Sequence, residues 1–178
     1  MNPIDHLLQE HRDIMAQMAD LRRAVADLAA CGQAALPEAL PVFARIGRMM
    51  ETQLARHARK EDEALFPALE ALLGADGSPT GVMRQEHRAI HAQGELLRRT
   101  LHELNDVEHP QIEAGAARLK TLGAGGGSAA SLRASAEEVI RLLDLHFAKE
   151  EEILFPMTRQ LLDDAALARV GDRMEALP

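Results

Sequence analysis

The stretch HARKEDEALFP, beginning at His57, returns at His146 as HFAKEEEILFP. Each copy carries an imidazole and, four residues on, a carboxylate: Glu61 in the first and Glu150 in the second. Residues four apart on a helix stand one above the other on one face, so each His/Glu pair can reach a single point from two heights. A second repeat supplies two further imidazoles. QEHRDI at Gln9 to Ile14 returns as QEHRAI at Gln85 to Ile90, which makes His11 and His87 equivalent. Imidazole and carboxylate together are donors for divalent transition metals. The chemistry implied is cation binding, provided the chain brings all six groups to one place.

The elements that would do so are helices. The chain is 47% hydrophobic but only 2% aromatic, lacks Trp and Tyr, and is rich in the helix formers Ala, Leu, Glu and Arg. Asn2 followed by Pro3 reads as a helix cap with proline in the first turn. Leu7, His11, Ile14, Met18, Leu21, Val25 and Leu28 then follow a 4,3 spacing that predicts a bundle-facing stripe on a first helix of about 3 to 31. Gly32 and Pro37 mark its end. A second helix of about 38 to 73 carries Phe43, Met50, Leu54, His57, Glu61, Leu65, Leu69 and Leu72 on one face.

A loop from Gly74 to Pro79 leads to a third helix of about 80 to 105. Its stripe of Met83, His87, Ile90, Gly94, Leu97, Leu101 and Leu104 is the first stripe moved 76 positions on. The chain therefore reads as a duplicated helical hairpin. Between Asn105 and Ser128 the pattern weakens, with a possible short helix starting at His109-Pro110 and a GAGGGS loop whose glycine spacing is wrong for a phosphate loop. A fourth helix of about 129 to 162 carries Val139, Leu142, Leu143, His146, Glu150, Ile153, Leu154, Met157 and Leu161. Asp163-Asp164 caps a short fifth helix ending near Leu177. The architecture expected is all-α, an antiparallel up-down four-helix bundle over about 3 to 162, within one domain spanning 1 to 178.

On this plan His11, His57, Glu61, His87, His146 and Glu150 all occupy stripes that should be apolar. A single such histidine is ordinarily a satisfied core residue. Two buried acids among four buried histidines are costly without a shared cation. Helix lengths give an independent test. At about 1.5 Å per residue, His11 and His57 lie on the order of 30 Å from the turn joining their helices, and His87 and His146 about 26 Å from theirs, so one polar layer crosses the bundle. Glu61 and Glu150, on opposite helices, could bridge two metals with imidazoles in outer positions, whereas one metal would leave ligands over. His6, His102 and His109 fall outside the layer, and Asp62, Glu63, Glu151 and Glu152 read as solvated. Glu10 and Glu86 precede layer histidines but face elsewhere.

The order His, HxxxE, His, HxxxE over four helices, with Leu-Phe-Pro after each HxxxE, resembles the hemerythrin superfamily, specifically its HHE cation-binding branch. The resemblance covers the bundle, and it implies a non-haem di-iron centre with a bridging oxygen. Zn or Mn stays open, because the same donors accept them. Leu-Phe-Pro reads as structural, with proline bending the helix and Phe66 and Phe155 packing near the site to keep it dry.

His91 stands four residues after His87, an HxxxH that resembles the histidine pair on the third helix of oxygen-carrying hemerythrins. With His91 as a further metal ligand, one iron is saturated and the other keeps one open position, which suits reversible binding of a diatomic such as O2 or NO. Without it both stay open, which suits chemistry on a shared substrate. Oxygen carriers place an Asp five residues beyond the last histidine, while here Glu150 stands at four. Peroxide disproportionation, NO reduction and repair of iron centres are therefore the competing enzymatic readings. Repair relatives carry a cysteine-containing segment before the bundle, and this chain opens directly on its first helix. No Tyr is present to hold a radical and no flavin or nicotinamide motif occurs, so repeated reduction would need an external electron donor.

A net charge of −8 argues against a nucleic-acid partner. With no apolar run near the length of a membrane span and no signal-peptide pattern, a soluble cytoplasmic protein is expected. The lone Cys31 fits a reducing compartment.

Overall fold

The computed structural model describes residues 2–74, 78–112 and 128–177. Helix α1 runs Pro3–Cys31; the Asn2 side chain accepts a 2.9 Å bond from the Ile4 N–H, and Gly32 follows the helix at φ 56°, which a residue with a side chain rarely adopts. A 3₁₀ turn, Gly32–Ala35, leads into the second long helix. This is built from α2 (Leu36–Met49), α3 (Ala55–Lys60) and α4 (Phe66–Leu73), joined by wide π turns at Met50–Leu54 and Glu61–Leu65. The third is α5, Thr80–Ile112. It continues through the region where a separate short helix at His109-Pro110 was expected, while the glycine-rich stretch 123–127 lies outside the described residues.

Helix α6 (Ala129–Lys149), capped by the Ser128 side chain on the Ser131 N–H, continues through a π turn at Glu150–Leu154 into α7 (Phe155–Leu161). Asp163 then caps α8, Asp164–Glu175. No strand occurs among the described residues. Helix α1 packs on α2 and α6, and α5 packs on α6 and α2, which places α1 and α5 on one diagonal. This is the expected four-helix bundle.

Burial of the stripes divides the core in two. One cluster, around Met18, Leu21, Phe43, Ile46, Leu97 and Leu143, fills the long end of the bundle. The other, around Leu7, Leu65, Leu69, Phe155, Val170 and Met174, lies at the opposite end, where α8 closes the bundle against α1 and the Glu61–Leu65 turn. Leu72, Ile153 and Leu161 were expected on the core stripe but are exposed, at 57%, 58% and 41%. Ile153 holds the place in its π turn that Ala64 holds in the other, and Ala64 is buried at 2%; the difference is that α8 packs on the Glu61–Leu65 turn. Leu72 and Leu161 face a shallow groove between α4 and α8.

The two Leu-Phe-Pro motifs make matching π turns. Pro67 and Pro156 lack an N–H and crowd the carbonyl four residues back. The backbone widens in response: the Phe66 N–H donates to the Glu61 carbonyl and the Phe155 N–H to the Glu150 carbonyl, five residues back in each case. The repeated motif thus fixes a local geometry at each of the two acids.

Candidate metal centre

Between the two apolar clusters lies a layer of buried polar groups. His11, Glu61 and Glu150 are fully buried, His57 and His146 nearly so, and the His87 side chain is 8% exposed. Apolar rings wall the layer. Phe147 stacks on His11 at 3.9 Å between ring centres, Phe66 stacks on His87 at 5.7 Å, and Phe155 lies 5.4 Å from His11. Phe66 and Phe155 hold the places expected of them.

The donor atoms gather in two groups. His11, His57, Glu61 and Glu150 offer atoms within 4.8 Å of one another, and so do Glu61, His87, His146 and Glu150. Both acids belong to both groups. Glu150 faces His146 Nε2 with Oε1 at 3.0 Å and His11 Nε2 with Oε2 at 3.2 Å, one oxygen toward each group. Glu61 Oε2 lies 3.3 Å from His87 Nε2 and 3.6 Å from His57 Nε2. His91 joins neither group; the structure places it exposed on the wall of a cleft beside the layer.

Four carboxylates complete the layer, and they are residues expected to face solvent or elsewhere. The Nδ1–H groups donate as follows: His57 to Glu10 (3.0 Å), His146 to Glu86 (3.0 Å), His87 to Asp62 (3.1 Å) and His11 to Glu151 (2.7 Å). Each of these acids is the sequence neighbour of a layer residue on one helix and reaches the histidine of the next helix. The signal was present in the duplication, since Glu-His recurs at 10–11 and 86–87 and paired acids recur at 61–62 and 150–151. Lys60 pairs with Glu10 and Lys149 with Glu86, again as repeat counterparts.

These bonds make the layer's need for a cation explicit. With Nδ1–H donated to a carboxylate, each Nε2 carries a lone pair directed inward. His11 Nε2 and His57 Nε2 face each other at 3.0 Å. A hydrogen bond between them would require one ring to shift its Nδ1 proton to the inner nitrogen or to take up a second proton. A cation satisfies both, because nitrogens at about 2.1 Å and at right angles on one ion lie about 3.0 Å apart. Among the described residues, both oxygens of Glu61 and of Glu150 and Nε2 of His87 are buried without a hydrogen-bond partner. Buried polar atoms are otherwise almost always paired.

Ionisation points the same way. Burial, reinforced by the charge of Glu150, pushes the Glu61 carboxyl well above its ordinary 4.5. Burial also acts to raise Glu150, but the imidazoles of His11, His146 and His87 outweigh it and hold that carboxyl low. Burial opposes charge on His87, yet Asp62, Glu150 and Glu61 raise it to about 11. Without a metal, one acid is driven to protonate and one imidazole to become the missing cation.

The family model of the hemerythrin HHE cation binding domain matches residues 2–124 and 100–177. The chain belongs to the hemerythrin HHE family. Comparison with curated proteins and with solved structures returned no match. The family's domain binds metal cations, and the His/Glu groups of the layer could hold one. No described helix is long and apolar enough to cross a membrane.

Substitution of the outer carboxylates should separate their role from that of the inner ones. Glu86→Ala is expected to weaken metal binding about 10–100-fold by releasing the His146 ring, measured by competition with a chelator. Glu10→Ala should do the same at His57 and also lower the melting temperature more. The reason is that it leaves the Lys60 ammonium, 4% exposed, without its carboxylate and with only His6 Nε2 at 2.8 Å, whereas Lys149 has a side chain 43% exposed and can reach water. Equal melting temperatures for the two variants would contradict that distinction.

Proposed function

We propose that the centre holds two iron ions through His11, His57, Glu61, His87, His146 and Glu150, and that it binds or senses a diatomic, O2 or NO. The sharing of Glu61 and Glu150 between two donor groups carries this reading, because a single ion has no use for two complete sets. Each set counts two imidazoles and two shared acids, fewer donors than the six iron commonly takes, so positions remain for a small ligand. When bound, iron would supply affinity for O2 or NO and one-electron redox chemistry.

The chain's own residues do the rest. Phe147 and Phe155 cover the layer on the His11 side, away from the cleft, so electrostatic interactions there are strong. Glu10, Glu86, Asp62 and Glu151 fix the tautomer and ring angle of the four histidines. Zn and Mn share the donor preference of this set and are alternatives that metal analysis decides.

One observation favours a second reading, an oxidoreductase acting on peroxide or NO with an external electron donor: the cleft beside His57, His87 and His146 is larger than a diatomic requires. Optical spectra of the reduced, iron-quantified protein separate the two as oxygen is admitted and then removed. A band that appears and disappears reversibly supports carriage or sensing. One-way conversion to an oxidised form supports the enzyme.

His91→Ala is expected to retain full metal content and the same spectrum, because His91 stands exposed on the cleft wall. Loss of one metal equivalent in that variant would make it a ligand.

A further inference from the structure

The duplicated halves are unequal on one side, and the difference opens a cleft. Helices α1 and α6 meet over His11 through Met18 and Phe147, 0% and 3% exposed. In the other half the repeat counterparts of those two residues are Gly94 and Ala58. Both line a cleft of about 640 Å³ between α2–α3 and α5 that reaches His57, His87 and His146. Loss of two large side chains at equivalent places accounts for its position. The Met50–Leu54 π turn borders it, and α6 has no equivalent turn within Ala129–Lys149.

The walls also differ in chemistry. The cleft floor is apolar, formed by Met50, Leu54, Ala58, Ile90 and Gly94. A Cβ placed at Gly94 would meet Met50 Cε at 2.9 Å, so the thioether lies over the bare helix as an adaptable surface. On the rim, His91 and Glu51 stand where the closed half has Met15 and Ile140.

The rim acids are already balanced by cations. Glu51 and Glu95 lie 3.5 and 2.9 Å from Arg98, Glu63 lies 3.6 Å from Arg59, and Asp62 holds Arg84 and His87. Arg88 is the exception: it is exposed at the cleft and makes no hydrogen bond or ion pair among the described residues. Its counterpart Arg12 folds back onto Gln9 at 2.6 Å.

We propose that this cleft binds an organic carboxylate with a compact apolar body, the body on the Ala58–Gly94–Met50 floor and the carboxylate on Arg88, beside the metal centre. The volume falls within the range of small-molecule sites, and an apolar floor with a few placed polar groups is their usual composition. Its location next to the reacting centre rests on the metal reading above, whereas the binding itself does not.

Octanoate and 1-octanol, matched in apolar length, are the probes. The full chain, its metal content measured beforehand, is titrated with each by calorimetry. Octanoate is expected to saturate a single site. Ala58→Phe, which restores the ring present in the closed half, should weaken both probes at least tenfold with metal content unchanged. Arg88→Gln, a surface change that leaves the floor intact, should weaken octanoate about tenfold and octanol less than twofold.

Absence of saturable octanoate binding overturns the proposal, as does binding indifferent to both substitutions. Octanoate binding that responds to Arg88→Gln in a chain devoid of metal upholds the cleft while removing the metal reading.

Discussion

Replacing Glu150 by Gln is expected to reduce bound metal from about two equivalents per chain to less than one. Glu150 belongs to both donor groups, with one oxygen toward His146 and the other toward His11, so its loss weakens both positions together. Glu61→Gln should act alike, because Glu61 lies between His57 and His87. A variant of either that keeps two equivalents would sink the bridging assignment. The sign of the stability effect should invert when metal is absent. In metal-free protein Glu61 is a fully buried acid whose ionisation is opposed by burial and by the charge of Glu150, a penalty that the neutral amide of Gln does not carry.

Glu61→Gln should therefore melt higher than wild type once both are stripped of metal. The pH dependence follows from the raised carboxyl. Above the ordinary value of 4.5 the unfolded chain ionises Glu61 while the folded chain resists, so folding loses stability as pH rises toward the folded-state value. The advantage of Glu61→Gln is then present near neutral pH and disappears below about 4.5. Thermal melts of the two stripped proteins across that range measure it, and an advantage that grows toward acid would refute the argument.

Stripping the metal from the wild-type chain is the second change of large expected effect. The centre separates two apolar clusters, so every helix of the bundle passes through the layer of unpaired donors left behind. A ligand present at about 1,000 times its dissociation constant stabilises by about 4 kcal/mol. For a chain of this size that corresponds to about 8–16 °C in melting temperature. Scanning calorimetry before and after chelation, with metal restored afterwards, reads the effect. A fall of only a degree or two would mean that the layer is held by its own hydrogen bonds.

The bundle was legible because its signals are local and repeated. Stripes of seven positions each on the first and third helices, offset by one constant, leave little freedom in which faces meet. The six residues of the inner layer were legible because each breaks an apolar stripe. The outer acids were not, although they are only one residue away. A position beside a layer residue points about 100° round its own helix, which reads as the solvent face when one helix is considered alone. In a bundle that direction is the groove toward the neighbouring helix, and Glu10, Glu86, Asp62 and Glu151 each use it to reach a histidine there.

The π turns were hidden for a different reason. Pro67 and Pro156 signal a disturbed ladder, but whether the helix bends or widens depends on what packs around it. The cleft was written in the sequence as two substitutions between repeats, Met18 to Gly94 and Phe147 to Ala58. Their joint meaning required knowing that the two positions face each other across one interface.

Anaerobic calorimetric titration of the metal-free chain with ferrous iron decides whether one layer takes two metals through two shared acids. Saturation is expected at about two equivalents per chain, with protons released as the histidines are taken up. Saturation at one equivalent, or no binding at all, would contradict it.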